Sequence, residues 1–117
     1  MNGMTWPEQL RNRTKAFALA AVRFCRTLPH TVEANVFRYQ LVKSGTSVGA
    51  NYRATCRGRS PAEKRAKLGI AIEESDESLY WLDLLDDLGM GEPIERKRLL
   101  REANEITAIL VKCRGSM

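Results

Sequence analysis

Four carboxylates crowd a five-residue span of this 117-residue chain: Glu73, Glu74, Asp76 and Glu77. Paired carboxylates can bridge metals or exchange protons. In the helical bundles that hold di-iron sites, such groups work beside a Glu-x-x-His pair on the same helix. Here the one histidine, His30, stands in the turn-like Pro29-His30-Thr31, far from them in sequence. The metal pattern fails, and the ordinary reading is a solvated acidic helix face. Cys25, Cys56 and Cys113 are odd in number, widely spaced and without a CxxC. They are read as reduced thiols on helix faces, not as a disulfide framework or zinc site. Triad chemistry would have to recruit the single histidine as base. No catalytic residue, metal ligand or cofactor is assigned, and the chain is expected not to be an enzyme. An enzyme using the carboxylates just named is the least favoured reading.

The basic residues suggest different chemistry. Arg53, Arg57, Arg59, Lys64, Arg65 and Lys67 fall within fifteen residues. Guanidinium and ammonium groups at this density suit phosphate, by charge and by hydrogen bonding. The whole chain carries +5 with a pI near 9.4, yet the charge is segregated. Residues 1–67 hold 13 basic and 3 acidic side chains, residues 68–95 hold 9 acidic and no basic ones, and residues 96–117 hold 6 basic and 2 acidic ones.

Elements must position these groups, and the periodicity predicts helices alone. Thr5 and Glu8 form a capping-box pattern around Pro7, ahead of Leu10, Thr14, Phe17, Ala21, Phe24 and Leu28 at steps of four and three. Phe37, Leu41, Ser44, Val48, Asn51 and Thr55 give a second stripe, and Leu68, Ala71, Ser75, Ser78, Leu82 and Leu85 a third. Leu99, Ala103, Ile106, Leu110 and Cys113 give a fourth. Leu28-Pro29, Gly58 and Gly89-Met90-Gly91 read as stops. Ser60-Pro61-Ala62-Glu63 reads as a restart, with Ser60 as N-cap and Glu63 completing the box. Helices are expected over roughly 6–28, 32–57, 61–88 and 93–113 of one domain spanning 1–117. Short connections then imply an all-α, antiparallel, up-down-up-down four-helix bundle. Gly45 and Gly49 inside the second helix are read as sites of close backbone packing.

Ser44, Asn51, Ser75 and Ser78 fall on the seams and are expected to form a polar core network, with Asn51 fixing register. Tyr80, Trp81, Leu84 and Leu88 widen the apolar face of the third helix beyond one seam. They are read as an interface between copies of the chain; the alternative is a wide core face filled by a large aromatic. No apolar run approaches the ~20 residues of a membrane span. The opening MNGMTWPEQLRNR lacks a signal-peptide pattern, so a cytoplasmic location with no membrane contact is expected.

In an up-down-up-down bundle one end gathers Arg11, Arg13, Lys15, Arg53, Arg57, Arg59, Lys64, Arg65, Lys67, Lys112 and Arg114, against only Glu8 and Glu63. Cations at the starts of helices one and three oppose the helix dipole, so helix stability does not account for them. Three readings stay open: nucleic-acid binding, an acidic protein partner, and solubility. With no base-reading motif and little aromatic interleaving, binding would be driven by the phosphate backbone.

The segments Thr46-Ser47-Val48-Gly49-Ala50-Asn51-Tyr52-Arg53, Cys56-Arg57, Arg59-Ser60, Glu73 to Leu82 and Glu102-Ala103-Asn104-Glu105 resemble the four helix bundle protein family. It is also called the rRNA intervening-sequence protein family. Its relatives include the accessory variability determinant of diversity-generating retroelements. The resemblance implies a homopentamer of antiparallel bundles. For the retroelement relative it implies a barrel-like ring that binds a reverse transcriptase and RNA through basic surface. It supplies no catalytic residue. The expected function is a bacterial-type homo-oligomeric adaptor that binds RNA or DNA through its basic end. The alternative is a protein-only adaptor that docks a partner enzyme without nucleic acid.

Overall fold

The computed structural model describes residues 3–117; Met1 and Asn2, part of the domain expected over 1–117, lie outside the described residues. Four helices follow one another: α1 Trp6–Cys25, α2 Val32–Cys56, α3 Pro61–Leu88 and α4 Pro93–Gly115. Each packs against its neighbours in the chain, and α4 returns to α1 along the least extensive seam. No strand occurs among the described residues.

The helix starts follow the expected chemistry. Thr5 and Glu8 make a reciprocal capping box, in which Glu8 Oε2 accepts from the Thr5 N–H at 2.7 Å. That backbone bond, followed by the Thr5 hydroxyl, holds the Glu8 carboxyl below its ordinary value. Thr31 caps α2 by accepting from the Ala34 N–H. Ser60 caps α3 by accepting from the Glu63 N–H at 3.1 Å, with Pro61 in the first turn; no return bond from the Glu63 carboxylate completes a box.

The ends are more particular. Helix α1 stops at Cys25, three residues before the expected boundary. The Thr27 hydroxyl donates to the Phe24 carbonyl at 2.7 Å, and the N–H groups of Arg26 to Leu28 turn back to carbonyls three residues earlier. Both compete with another α-helical turn. At the end of α3, Gly89 takes a left-handed φ of +66° and the Met90 N–H reaches the Leu85 carbonyl. Gly91 also has positive φ, at +82°, and a Cβ there would stand 2.6 Å from the Phe24 ring. Gly58 behaves differently from a left-handed stop. Its φ is not positive, and it is needed because Lys64 closes over it: a Cβ would lie 2.5 Å from Lys64 Cγ.

The core contains Leu10, Phe17, Phe24, Leu41, Val48, Leu68, Leu82, Leu85, Leu99, Ile106 and Leu110, with small residues where helices approach most closely. Gly45 and Gly49 are such points. A Cβ on Gly45 would meet Ala21 Cβ at 3.1 Å, and one on Gly49 would meet Thr14 Oγ1 at 3.2 Å. Close packing of α1 on α2 therefore explains why α2 tolerates two glycines, each unfavourable by about 1 kcal/mol relative to alanine in a helix.

Core hydroxyls are paired within this packing. Ser78 donates to Ser44 Oγ across α2 and α3 at 2.9 Å and also to the Glu74 carbonyl. Ser75 bonds Thr107 between α3 and α4. Asn51 is a correction: it is half-buried, and its amide donates to the Ser47 carbonyl of its own helix at 2.9 Å. The buried position passes instead to Tyr52, 6% exposed. A real helix turns every 3.6 residues, so a strict seven-residue repeat drifts. The apolar ring gains more from burial than an amide would. Burial raises the Tyr52 phenol pKa, and proximity to Cys56 adds to the shift.

Candidate functional site

Two surfaces are candidates, one basic and one apolar. Antiparallel packing brings the start of α1, the end of α2, the start of α3 and the end of α4 to one end of the bundle. Gly49 against Thr14, and Arg114 lying across Gly69, fix that register. The six cations expected to contact phosphate are therefore gathered there. Arg53, Arg57, Arg59 and Arg65 are exposed, whereas Lys64 and Lys67 are half-buried. None of the six makes an ion pair among the described residues.

A groove of about 640 Å³ runs between α1 and α2, lined by Arg11, Asn12, Lys15, Ala18, Thr46, Gly49, Ala50, Arg53, Cys56 and Arg57. Arg11 and Lys15 stand one turn apart on α1, and Arg57, the C-cap of α2, stands four residues beyond Arg53. No carboxylate lines the groove. Gly49 keeps its floor low. Arg59, Lys64, Arg65 and Lys67 lie outside it, on the turn and first turns of α3. The pairing of Arg11 and Lys15 with Arg53 and Arg57 was not singled out from the sequence. Arg11 and Lys15 each follow a buried residue of the α1 seam, Leu10 and Thr14, but Arg53 follows Tyr52 and Arg57 follows Cys56, neither of them on the seam expected for α2.

Arg13 leaves the basic end. Its guanidinium grips Glu102 through Nε at 2.8 Å and Nη2 at 2.6 Å, and Nη2 also reaches Glu105 at 2.7 Å. The Glu102 carboxyl is held below its ordinary value chiefly by this contact. The expectation that Glu8 and Glu63 are the only acids at that end overlooked how far α4 carries Glu102 and Glu105 along α1.

The opposite end uses its arginines internally. Arg96 is buried; its Nε donates to Asp86 at 2.8 Å, and its Nη1 donates to the carbonyls of Met90 and Gly91. Lys97 Nζ takes the other Asp86 oxygen at 2.8 Å. These two cations, Lys97 foremost, hold the Asp86 carboxyl below its ordinary value of 3.8. Arg38 donates to the carbonyl of Cys25 at the end of α1 and to those of Leu28 and Pro29 in the α1–α2 loop. The two loops are joined where the Glu92 N–H donates to Thr27 Oγ1 at 3.0 Å.

The apolar face of α3 divides. Trp81 is half-buried against the core, its ring centroid 6.2 Å from that of Phe37, and Leu84 is also half-buried. Trp81 thus fills a wide core face, while Tyr80 and Leu88 remain 60% and 51% exposed. Val32 and Tyr39 on α2 are more open still, at 82% and 66%. The acidic residues Glu73 and Asp76 are exposed and Glu74 and Glu77 half-buried; among the described residues no group of three or more His, Cys, Asp or Glu is arranged to hold a metal. Burial foremost, then Glu77, raises the Glu74 pKa. Cys25 is buried and Cys56 and Cys113 half-buried, all as free thiols. No described helix is long and apolar enough to cross a membrane.

Comparison with known proteins bears on this geometry. A family model described as 23S rRNA-intervening sequence protein matches residues 8–112. A crystal structure of a protein of unknown function from the S23 ribosomal protein family of Bacteroides thetaiotaomicron superposes with a TM-score of 0.84. It is 28% identical, and the match covers 93% of this chain and 97% of that one. No curated protein matches.

Proposed function

The chain belongs to the 23S rRNA-intervening sequence protein family, and from that membership we propose that it is a non-enzymatic, homo-oligomeric adaptor that binds RNA or DNA electrostatically. The observation that carries this reading is the basic end. Four helices bring cations to it, and apart from Arg13 none of those cations makes an ion pair with a carboxylate among the described residues. An uncompensated field of this kind attracts phosphate chains and weakens steeply with salt. The neighbour's membership of a ribosomal protein family fits an RNA partner. A pentameric ring, and an accessory role beside a reverse transcriptase, rest on the family resemblance. Exposed Tyr80 and Leu88 offer apolar surface for contacts between copies.

Two measurements test the reading. A gel shift with structured RNA should show binding that fades as salt is raised; no shift at low salt rejects nucleic-acid binding and leaves the protein-only adaptor. Light scattering should return about five times the 13.2 kDa chain mass, and a monomer would end the ring.

A further inference from the structure

We infer that the α1–α2 groove is a single-strand site, in which one nucleic-acid strand lies with its phosphates between the Arg11–Lys15 row and the Arg53–Arg57 row. This rests on the nucleic-acid reading above and narrows it to one place and one form of ligand. The first support is the lining: two cations from each wall, Asn12 and Thr46 as further polar groups, and no carboxylate to oppose an anion. The second is size. The groove holds about 640 Å³ between its two cationic walls, with Gly49 in its floor, and that volume takes a short stretch of one strand's backbone. A duplex would rest on the rims and meet the rows only from outside.

The third support is chemical selectivity. No Phe, Tyr, Trp or His lines the groove. A nucleotide pocket needs a surface for its base, and sequence-specific RNA readers stack bases on aromatic rings. This groove offers phosphate contacts and small aliphatic walls, so it holds backbone and leaves bases pointing out to solvent. Within each row the charges are four residues apart, roughly 6 Å along the helix axis, so neighbouring cations can serve neighbouring phosphates. Arg59 of the α2–α3 turn, with Arg65 and Lys67 of the first turns of α3, then steers the polymer without seating it.

Four seated phosphates predict a slope of log K against log salt of about −2.8 for a single strand. The test uses a fluorescent 12-nucleotide oligo-uridine RNA and its duplex with oligo-adenosine, titrated against the full chain at several salt concentrations. The single strand should bind at least tenfold tighter than the duplex. The pair Arg11→Glu and Lys15→Glu should weaken it more than tenfold and bring the slope to about −1.4 or shallower. The pair Arg59→Glu and Arg65→Glu should weaken it by a smaller factor than the groove pair does and leave the slope near about −2.8. Oligomer mass and helical content of both variants should match wild type. Preferred duplex binding, or a loss carried by the turn variants, overturns the groove while nucleic-acid binding stands. Should no RNA bind at all, inorganic tripolyphosphate becomes the probe. Shifts of the Gly49 and Ala50 amide resonances that vanish in the Arg11→Glu, Lys15→Glu variant keep the groove as a phosphate site. Unmoved resonances reject it.

Discussion

Arg96 and Arg53 carry the same guanidinium at opposite ends of one bundle and meet opposite surroundings. Arg96 is buried, bonds Asp86 and caps two carbonyls of the α3–α4 loop. Arg38 performs the same service for the α1–α2 loop. At the other end Arg53 is exposed, lines a groove with three further cations and has no carboxylate partner among the described residues. Cationic side chains thus divide into those whose donors are satisfied by the protein and those whose donors face solvent. The first kind holds the loops; the second kind is available to a ligand. Net charge does not separate the two, but the hydrogen-bond partners do.

Substitutions at the loop end should act on stability and leave polyanion affinity alone. The largest effect is expected from Arg96→Met. It removes a buried guanidinium, leaves Asp86 with Lys97 alone and leaves two loop carbonyls without a donor, a loss of about 3 kcal/mol. For a domain of this size that lowers the melting temperature by on the order of 10 °C, measurable by circular dichroism. RNA affinity should stay within about twofold. A large affinity loss without a stability loss would break the division between the ends.

A smaller effect, legible in its pH dependence, is expected from Asp86→Asn. Because the folded-state pKa lies below the ordinary 3.8, the carboxylate stabilises the fold above that value, and this stability is lost as pH falls through it. Wild type should therefore lose melting temperature on acidification toward pH about 3. The Asn variant should melt lower at pH about 6 and show a shallower acid decline. An unchanged acid profile would mean that Asp86 adds nothing to the loop end. The smallest effect is expected from Arg13→Ala, the cation of the basic end that the protein keeps for itself. Its ion pairs are partly exposed, so the loss should stay below about 1 kcal/mol. RNA binding should weaken modestly, because Glu102 and Glu105 are then left uncompensated. A tenfold loss would place Arg13 among the phosphate contacts.

Much of this was legible in the sequence because helix capping and seam spacing are local. Thr5, Thr31, Ser60 and Gly89 stand where their short-range chemistry puts them, and the α3 boundaries follow from Ser60-Pro61 and Gly89. A close approach at Gly45 and Gly49 was also readable, since the seam continues through them, but that α1 is the helix they meet was not. Four further features were not legible: one because the true helical repeat is not seven, and three because spacing within one helix does not carry the register between helices. Asn51 yielded its buried place to Tyr52 because the true helical repeat drifts from seven. Arg13 was drawn to Glu102 and Glu105 by the offset of α4 against α1. The groove needed Arg11 and Lys15 to face Arg53 and Arg57, and only the packed pair α1–α2 sets that juxtaposition. Trp81 entered the core because Phe37, on the adjacent helix, stood opposite to receive it.

The contrast between the ends reduces to one double measurement, melting temperature and affinity for a single-stranded RNA on the same two proteins. Arg53→Glu with Arg57→Glu should keep the melting temperature within a few degrees of wild type and lose affinity at least tenfold, whereas Arg96→Met does the reverse. If the Arg53, Arg57 variant binds RNA as wild type does, the basic end is not the nucleic-acid surface and the account fails.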